Sequence, residues 1–211
     1  MDCKYQKRII VGIDESGRGP LAGPVVAAAV LVKNPKFPRP SAGAASGAGK
    51  LENLKDSKKL TPKKKEEIYK ILKSSPQVEW GIGKVSEKVI DRINILQATK
   101  LAMVRAIRNL NLKIKNEKLK IDFLLIDGNL KIDLDIPQKS VIRGDEKVFL
   151  IKLASIAAKV TRDRTMLRYH KKYPEYHFDR HKGYGTKLHL KILKKYGPSV
   201  IHRLTFHPIK N

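Results

Sequence analysis

Residues 9–30, IIVGIDESGRGPLAGPVVAAAV, decide the fold. Their first part is a β-branched apolar run that leads to two neighbouring carboxylates, Asp14 and Glu15. Their last part opens a second apolar run, residues 25–32, which has little helical period. Such runs are typical of buried strands, and the glycines between them are typical of a tight turn. The stretch therefore predicts a strand with an acidic tip, a turn and a second strand.

The acidic tip indicates a site of unusual chemistry. Successive side chains of a strand point to opposite faces, so Asp14 and Glu15 converge only if the strand ends there, and Gly17 permits such a break. Two carboxylates about 4 Å apart repel by roughly 4 kcal/mol at an effective dielectric of about 20, so a proton or a cation must relieve them. Hard oxygen ligands favour Mg²⁺ or Mn²⁺. A capped turn with a surface Asp-Glu pair is the structural alternative, and these residues alone leave both open.

The charge balance of the whole chain indicates a polyanionic partner. The 211 residues include 45 Lys and Arg against 20 Asp and Glu, which gives a net charge of +25. Contacts between such cations and phosphates release condensed counterions and so favour nucleic acid as a ligand. A lysine-rich surface that serves only solubility is the alternative. Because no apolar run reaches the length of a membrane span, nucleic acid is favoured over an acidic membrane.

Length and cysteine usage give an expectation for the compartment. The length fits one domain with a sizeable core. The single cysteine, Cys3, excludes an internal disulfide and a multi-cysteine metal site, which is consistent with a reducing cytoplasm. The first residues, MDCKYQKR, lack the apolar segment of a signal peptide. We therefore expect a cytoplasmic protein.

Two further carboxylates follow predicted strands. Residues 121–126 form an apolar run that ends in Asp127, and a glycine comes next. Ligand sites in open α/β sheets collect at the carboxyl ends of strands, so Asp127 is a candidate ligand. An Asp-Gly turn is the structural alternative. Residues 140–143 are a short predicted fifth strand, and Gly144, Asp145 and Glu146 follow it.

Caps and periodicity predict the helices. Thr61 followed by Pro62 starts one helix, Ser86 can cap a short helix that a longer one follows, and Thr186 starts the last. Residues 78–85 alternate as a third strand between the first two of these helices. Apolar residues at helical spacing after Ser86 predict a buried stripe. Its members are Leu96, Met103, Ile107 and Leu110.

A long helix is predicted from about residue 147 onward. Ala154, Ala157 and Ala158 allow its first half to pack closely against the sheet. Asp163, later in the same helix, is expected to pair with Arg162, Arg164 or another cation. We therefore expect Asp163, at most, to support the candidate ligand residues without contacting a ligand itself.

Three loops carry basic or low-complexity sequence. Lys58 lies in the Asp-Ser-Lys-Lys loop before the first helix, where it is either a solvated charge or a phosphate contact. Residues 173–187 mix aromatic rings with His, Arg and Lys, which suits a sugar–phosphate backbone, although a tyrosine packed on the core is the alternative. Residues 35–49 are rich in Pro, Gly, Ala and Ser, and predict a flexible loop.

Six motifs in order carry a resemblance to a known family. GIDESGRGPLAGPVVAAAV, DSKKLT, IDGN, GDEKVFLIKLASIAAKVTRDR, HKGYGTK and IHRLTF resemble bacterial ribonuclease HII, a type 2 ribonuclease H. The similarity spans residues 9–208. It implies an α/β ribonuclease H-like fold, with a five-stranded mixed sheet flanked by helices and a C-terminal helical extension. It also implies a catalytic core over residues 1–170, with residues 171–211 as a substrate-contacting extension packed on that core.

The resemblance assigns roles to individual residues. The metal-binding, catalytic carboxylates are Asp14, Glu15, Asp127 and Asp145. The substrate-binding residues are Gly17, Arg18 and Gly19 for the ribonucleotide 2′-hydroxyl, Tyr184 for the sugar beside the RNA–DNA junction, and Lys58 for backbone phosphate. Two features depart from the family: Ser16 stands where we expect Ala, and the 35–49 loop looks longer than usual.

The implied activity is metal-dependent hydrolysis of a phosphodiester bond. The resemblance implies an endoribonuclease that cuts the RNA strand of RNA–DNA hybrids and nicks at single ribonucleotides in duplex DNA. Two divalent ions, Mg²⁺ or Mn²⁺, would give 5′-phosphate and 3′-hydroxyl ends. The expected partners are these hybrid and ribonucleotide-containing duplexes, and we expect a monomer.

Two rival functions remain open at this level. A pair of histidines acting as general acid and base would use the 2′-hydroxyl as nucleophile. All six histidines lie in the last third of the chain, and most are expected to lie at the surface or on phosphate. A non-catalytic nucleic-acid binder would explain the charge, but it leaves the carboxylates at strand ends without a purpose.

Overall fold

The computed structural model describes residues 8–33, 60–117 and 119–210. The predicted 35–49 loop and Lys58 lie outside these ranges. The strands are β1 (Ile10–Ser16), β2 (Val25–Val32), β3 (Val78–Val85), β4 (Phe123–Asp127) and β5 (Gln138–Val141). The helices are α1 (Pro62–Ser74), α2 (Glu87–Ile114), α3 (Gly144–Lys147), α4 (Phe149–Lys172), α5 (Phe178–His181) and α6 (Lys187–Tyr196). Short 3₁₀ turns cover Lys115–Glu117 and Pro174–Tyr176.

The sheet is mixed, as predicted, and β1 lies at its centre. The strand order is β3-β2-β1-β4-β5. β1 runs antiparallel to β2 and parallel to β4, and β5 runs parallel to β4. Because β3 is antiparallel to β2, it points the same way as β1. The carboxyl ends of β1, β3, β4 and β5 therefore lie at the same end of the sheet.

The prediction that β1 ends at its carboxylates is wrong. The strand continues to Ser16, and Asp14 and Glu15 remain paired with Ala28 and Ala27 of β2. The small alanines let the ladder continue past the acidic residues. The break comes at Gly17, whose φ of 99° lies in the region that glycine tolerates.

Both faces of the sheet are covered by helices. Alternate residues such as Val11 and Ile13 pack in the core under α2, and Ala28 packs with α1 and α4 on the other face. Helix α4 approaches β1 directly, because a Cβ at Gly12 would lie 2.4 Å from the backbone carbon of Leu150. The alanines predicted to permit this packing, Ala154, Ala157 and Ala158, are fully buried.

Three details of the helix predictions need correction. Helix α4 begins at Phe149, after the separate turn α3, because Val148 takes an extended conformation with φ −116° and ψ 119°. Leu96 is 39% exposed, because α2 kinks at Asn94, whose φ is 61°. Ser86 occupies the cap position of α2, but its side chain makes no capping hydrogen bond.

The free edge of β3 is protected by α2. Arg105, Asn109 and Lys113, spaced one turn apart, donate to the carbonyls of Lys84 (2.6 Å), Ile82 (2.7 Å) and Trp80 (2.7 Å). Unpaired carbonyls on an edge strand invite pairing with another chain, and these donors satisfy them.

The C-terminal part of the chain packs on the turn between β1 and β2. Ala22 belongs to a small apolar cluster with Met166, Phe178 and Ile201. Backbone hydrogen bonds join Gly23 to Ile201, at 2.8 Å, and Leu21 to residues 183 and 203, at 2.8 Å each. The C-terminal tail therefore returns to the body of the protein. In the described ranges, no helix is both long and apolar enough to span a membrane.

Candidate active site

Three of the predicted carboxylates influence one another at the carboxyl end of the sheet. Asp14 is only 5% exposed. Burial, followed by the charges of Glu15 and Asp127, raises the pKa of Asp14 well above its usual value. Burial also raises the pKa of Glu15, while Arg18 opposes that shift. The residues predicted from β1 and β4 therefore share one electrostatic environment.

Local hydrogen bonds hold Asp14 in place. The amide of Glu15 donates to Asp14 Oδ1 at 2.6 Å, and the side chain of Ser155 on α4 also hydrogen-bonds to this carboxyl group. Both interactions lower the pKa of Asp14, but they are outweighed by burial and by the neighbouring negative charges.

Asp127 connects the end of β4 to the turn that carries Asp145. Its Oδ1 accepts hydrogen bonds from the amides of Gly144, at 2.6 Å, and Asp145, at 3.3 Å. Gly144 packs closely here, since a Cβ would lie 2.6 Å from Ile151 Cδ1 and 3.1 Å from Asp127 Oδ1. Asp145 itself is only 1% exposed. The backbone of Asp145 is thus held beside the carboxylate of Asp127.

The donor chemistry of this cluster fits a hard divalent cation. Glu15 Oε2 is buried and has no hydrogen-bond partner among the described residues. A buried carboxylate oxygen without a donor, beside a carboxyl group whose charge is disfavoured, calls for a cation. Within the described part of the chain, no three Asp, Glu, His or Cys side chains are gathered as a ready metal site. The predicted carboxylates are therefore not arranged as a closed metal site.

A cleft of about 280 Å³ opens beside Glu15. Gly17 and Tyr184, two of the predicted substrate residues, line it together with Lys159. The ring of Tyr184 is exposed, and Lys159 Nζ lies 5.5 Å from its centroid. Lys159 also pairs with Asp163 at 2.9 Å, so Asp163 is bound to a cation as expected, although to neither arginine named above. The cleft combines an acidic end with a cationic and aromatic wall.

The remaining predicted residues are placed less fully. Arg18 lies on the turn with its side chain 45% exposed, and its guanidinium is 3.4 Å from Glu15 Oε1. Gly19 lies on the same turn, and a Cβ there would meet nothing within 4 Å. Close packing within the chain therefore does not explain glycine at this position.

Two buried arginines that the sequence analysis overlooked hold this turn. Arg203 donates to the carbonyls of Gly17 (2.6 Å), Arg18 (2.8 Å) and Gly23 (2.8 and 3.0 Å). Burial and the charge of Arg162 lower the pKa of Arg203 to about 9. The sequence offered only a weak signal, an arginine among apolar residues in the tail.

Arg162 connects the same turn to Tyr184. Its guanidinium donates to the carbonyls of Ala22 (3.0 Å), Pro24 (3.1 Å) and Lys182 (3.0 Å). Its Cζ also lies 5.7 Å from the centroid of the Tyr184 ring. One side chain therefore fixes both walls of the cleft relative to each other.

The expectation that most histidines lie at the surface or on phosphate is wrong for three of them. His181, His189 and His202 are buried, and the rings of His181 and His189 stack with centroids 4.1 Å apart. The amide of Gly183 donates to His181 Nδ1 at 3.1 Å, so His181 carries its proton on Nε2, 2.9 Å from the carbonyl of Tyr176. The His181 ring thereby fixes Gly183, the residue that precedes Tyr184.

A histidine relay made of His202 and His189 fixes Tyr184 itself. The amide of Ser199 donates to His202 Nδ1 at 2.8 Å, which leaves the His202 proton on Nε2. That proton faces His189 Nε2 at 3.0 Å, so His189 donates through Nδ1 to the carbonyl of Tyr184 at 2.9 Å. The hydrogen bonds thus specify one neutral tautomer for each ring.

We predict that the relay stays neutral at mildly acidic pH. Burial is the main cause that lowers the pKa of both His189 and His202 to about 4. The unfolded chain takes up these protons near pH 6.5, so the relay's contribution to stability decreases as pH falls from about 6.5 to about 4. Because the raised pKa values of Asp14 and Glu15 act in the opposite sense, total stability is a poor probe.

The direct measurement is the NMR titration of the ring resonances. Those of His189 and His202 should stay constant between pH 8 and about pH 5. A transition of either ring centred near pH 6.5 would contradict the neutral relay.

Comparisons with known proteins bear on the family of the chain. The family model described as Ribonuclease HII matches residues 11–209. The ribonuclease HII of Chlamydia pneumoniae is 48% identical over 203 residues, which cover 96% of this chain and 85% of that protein.

Two solved structures confirm the predicted ribonuclease H-like fold. The ribonuclease H2 from Pyrococcus horikoshii OT3 matches with a TM-score of 0.72 at 24% identity, over 95% of each chain. Bst-RNase HIII, solved in complex with Mn²⁺, matches with a TM-score of 0.70 at 18% identity, over 98% of this chain and 70% of the other. At such identities the likeness concerns the fold alone.

Proposed function

The chain belongs to the ribonuclease HII family, and from that premise we propose which of its residues act and on which substrates. As a ribonuclease HII, it is a metal-dependent hydrolase that acts on phosphodiester bonds, with ribonuclease H activity on RNA–DNA hybrids. We propose that it also nicks at single ribonucleotides in duplex DNA, and that it leaves 5′-phosphate and 3′-hydroxyl ends. The observation that carries this proposal is that buried carboxylates lie beside a cleft whose wall is cationic and aromatic.

In this proposal, Asp14, Glu15, Asp127 and Asp145 hold two ions of Mg²⁺ or Mn²⁺ in the substrate complex. When bound beside a phosphodiester, such ions supply a water of lowered pKa and neutralise charge on the leaving 3′ oxygen. The chain contributes hydrogen bonds that hold two of these carboxylates, because backbone amides donate to Asp14 and Asp127 and the Ser155 side chain hydrogen-bonds to Asp14.

The turn of residues 17–19 is proposed to recognise the ribonucleotide. The 2′-hydroxyl distinguishes RNA from DNA at a given sugar. Arg18 is exposed on this turn beside Glu15, so its guanidinium can reach a sugar that lies against the acidic cluster. Arg203 holds the carbonyls of Gly17 and Arg18, and thereby directs the turn toward the cleft.

We propose that residues 171–211 form the substrate-contacting extension and that Tyr184 is its main contribution. The exposed Tyr184 ring can pack on the sugar beside the RNA–DNA junction, while Lys159 is placed to meet a phosphate. Because one chain supplies all of these groups, we propose that a monomer is active. The role of Lys58 stays a prediction, since that residue lies outside the described ranges.

Replacing Tyr184 with alanine should slow cleavage at a single ribonucleotide. Stacking on an aromatic ring contributes about 1–3 kcal/mol, so kcat/KM is expected to fall by roughly 10- to 100-fold, whereas Tyr184→Phe should retain most activity. The measurement compares a duplex with one ribonucleotide and a long RNA–DNA hybrid. An equal loss on both substrates would contradict a role at the junction.

The rival histidine mechanism lacks support at the acidic cluster. His181, His189 and His202 are buried and hydrogen-bonded to one another or to backbone groups. A general acid or base must reach the reacting atoms within hydrogen-bonding distance. Their hydrogen bonds instead suit a positioning role.

A cleavage assay separates the proposal from its rivals. The protein is incubated with a duplex that carries one ribonucleotide, in Mg²⁺, in Mn²⁺ and in EDTA, and the product ends are analysed. We expect cutting in either metal, none in EDTA, and 5′-phosphate with 3′-hydroxyl ends. Cutting in EDTA with a 2′,3′-cyclic phosphate would support histidine chemistry. Tight binding without cutting in either metal would support a non-catalytic binder.

A further inference from the structure

A second basic groove, distinct from the cleft, lies at the β3 edge of the sheet. It has a volume of about 580 Å³. Lys84 of β3 and Arg105 and Arg108 of α2 line it, with Tyr69 of α1 and Thr161 of α4 on the other side. We call it the edge groove. The roles assigned above to the carboxylates, the glycine turn and Tyr184 do not involve its residues.

The cations of the edge groove are not balanced by acidic groups. None of the described residues that line it is Asp or Glu. Lys84, Arg105 and Arg108 form no ion pair in the described ranges. Burial, followed by the charge of Arg168, lowers the pKa of Lys84, as expected where cations gather without counterions. An anion in this groove would relieve that repulsion.

A hydroxyl group adds a hydrogen-bonding function to this charge. Thr161 Oγ1 is buried and has no hydrogen-bond partner among the described residues. It belongs to the groove lining, opposite the cationic side chains of α2. A hydroxyl donor together with guanidinium and ammonium groups suits a phosphate oxygen.

The sheet register places this groove in line with the candidate active site. Ser16 of β1 pairs with Val26 of β2, and Val26 pairs with Lys84 of β3. Lys84 therefore lies two strand spacings, or about 10 Å, from the end of β1, on the side of the sheet where the carboxylates are. A duplex rises about 3.4 Å per base pair, so about three base pairs span that distance.

We propose that the edge groove binds the phosphate backbone of the substrate duplex on one flank of the cleaved position, about three base pairs away. Lys84 and Arg108 carry the phosphate contacts, and Arg105 is shared between this task and capping the edge of β3. The inference rests on the proposed function, because it adds contacts to the backbone of the same substrate duplex. It makes the enzyme depend on duplex length on one side more than on the other.

The test compares two charge-removing double variants of the full chain. Lys84→Gln/Arg108→Gln removes two charges from the edge groove. Arg8→Gln/Lys120→Gln removes two charges from exposed residues that precede β1 and β4, at the opposite end of the sheet. Two duplexes of equal length carry one ribonucleotide near one end or near the other, so that only one of them extends over the groove. Dissociation constants are measured over a range of salt concentrations, and KM is measured in Mg²⁺.

The groove variant should weaken binding to only one of the duplexes. We expect its dissociation constant to rise about tenfold and the slope of log K against log salt to fall by about 1.8, since each phosphate contact contributes about 0.9. The other duplex and the control variant should remain near wild type. The Arg108→Lys variant, which keeps the charge, should retain most of the wild-type affinity.

Three outcomes overturn or redirect the inference. Equal losses on both duplexes would show a general loss of charge, and unchanged binding would show that the groove takes no backbone phosphate. If the wild-type protein binds neither duplex, the proposed function itself fails, which is distinguishable from failure of the groove alone. Thermal unfolding of each variant, expected to match wild type because these side chains are exposed, excludes misfolding as the cause.

Discussion

Asp14→Asn is expected to abolish cleavage and, at the same time, to make the protein more stable. The buried carboxylate of Asp14 is repelled by Glu15 and Asp127, and its pKa is raised accordingly. Asparagine keeps an oxygen for the hydrogen bond from the Glu15 amide and removes the charge. We expect kcat to fall at least about 1,000-fold, because several kcal/mol of transition-state stabilisation by metal are lost.

The gain in stability distinguishes this account from a purely structural role for Asp14. Relief of the repulsion should raise the free energy of unfolding by about 1–2 kcal/mol, which corresponds to a few degrees in melting temperature. Chemical denaturation at pH 7 without divalent metal gives the value. Asp133→Asn, at an exposed residue, serves as the matched control and should change neither quantity. Retained turnover, or a loss of stability, would remove Asp14 from the proposed metal site.

Arg203→Met is expected to damage both the stability and the activity of the protein. The guanidinium is fully buried and satisfies the carbonyls of Gly17, Arg18 and Gly23. Methionine fills much of the volume but leaves those carbonyls without donors, at a cost of about 3–5 kcal/mol. The remaining folded enzyme should cleave about 100-fold more slowly, because a displacement of about 1 Å in a positioned group has that effect.

Arg203→Lys provides the graded comparison. Lysine keeps the charge but cannot direct a planar fork at three carbonyls, so intermediate losses are expected. Unfolding curves and kcat/KM with a ribonucleotide-containing duplex are measured for both variants. A Met variant with wild-type stability and rate would show that Arg203 does not hold the turn.

The strands were predictable where short apolar runs end in turn residues. The bounds of β2 and β3 match the predictions, because Val25–Val32 is a buried apolar run and Val78–Val85 alternates, each with clear limits. The end of β1 was not predictable in this way. Its continuation to Ser16 depends on pairing with the alanines of β2, which only the assembled sheet provides.

The division of α2 was predictable in part. A short helix after Ser86 and a longer one following it were expected, and the kink at Asn94 separates two such segments. The effect of the kink on Leu96 was not predictable. Asn94 adopts φ 61° inside an otherwise periodic helix, and Leu96 becomes exposed as a result. Hydrophobic periodicity reports the average face of a helix and does not record a change of direction within it.

The candidate site was predictable as residue types but not as a connected structure. The carboxylates at the ends of β1 and β4 were predicted as candidate ligands because they follow apolar runs. The roles of Asp145 and Tyr184 were predicted only from the family resemblance. The support behind them depends on contacts between distant residues, such as Arg203 with Gly17 and Asp127 with Gly144. In a sequence this basic, arginines and histidines that are buried cannot be told from those at the surface. Only the fold shows which carbonyls they contact.

The most direct test of the central claim is the position of Mn²⁺ in a crystal of the protein bound to an uncleaved hybrid duplex. Anomalous scattering should place manganese about 2.1 Å from carboxylate oxygens of Asp14, Glu15 and Asp127, beside the phosphate at the ribonucleotide. Manganese bound at other positions, with no ion at these carboxylates and the duplex in place, would contradict the claim that the acidic cluster is the metal centre.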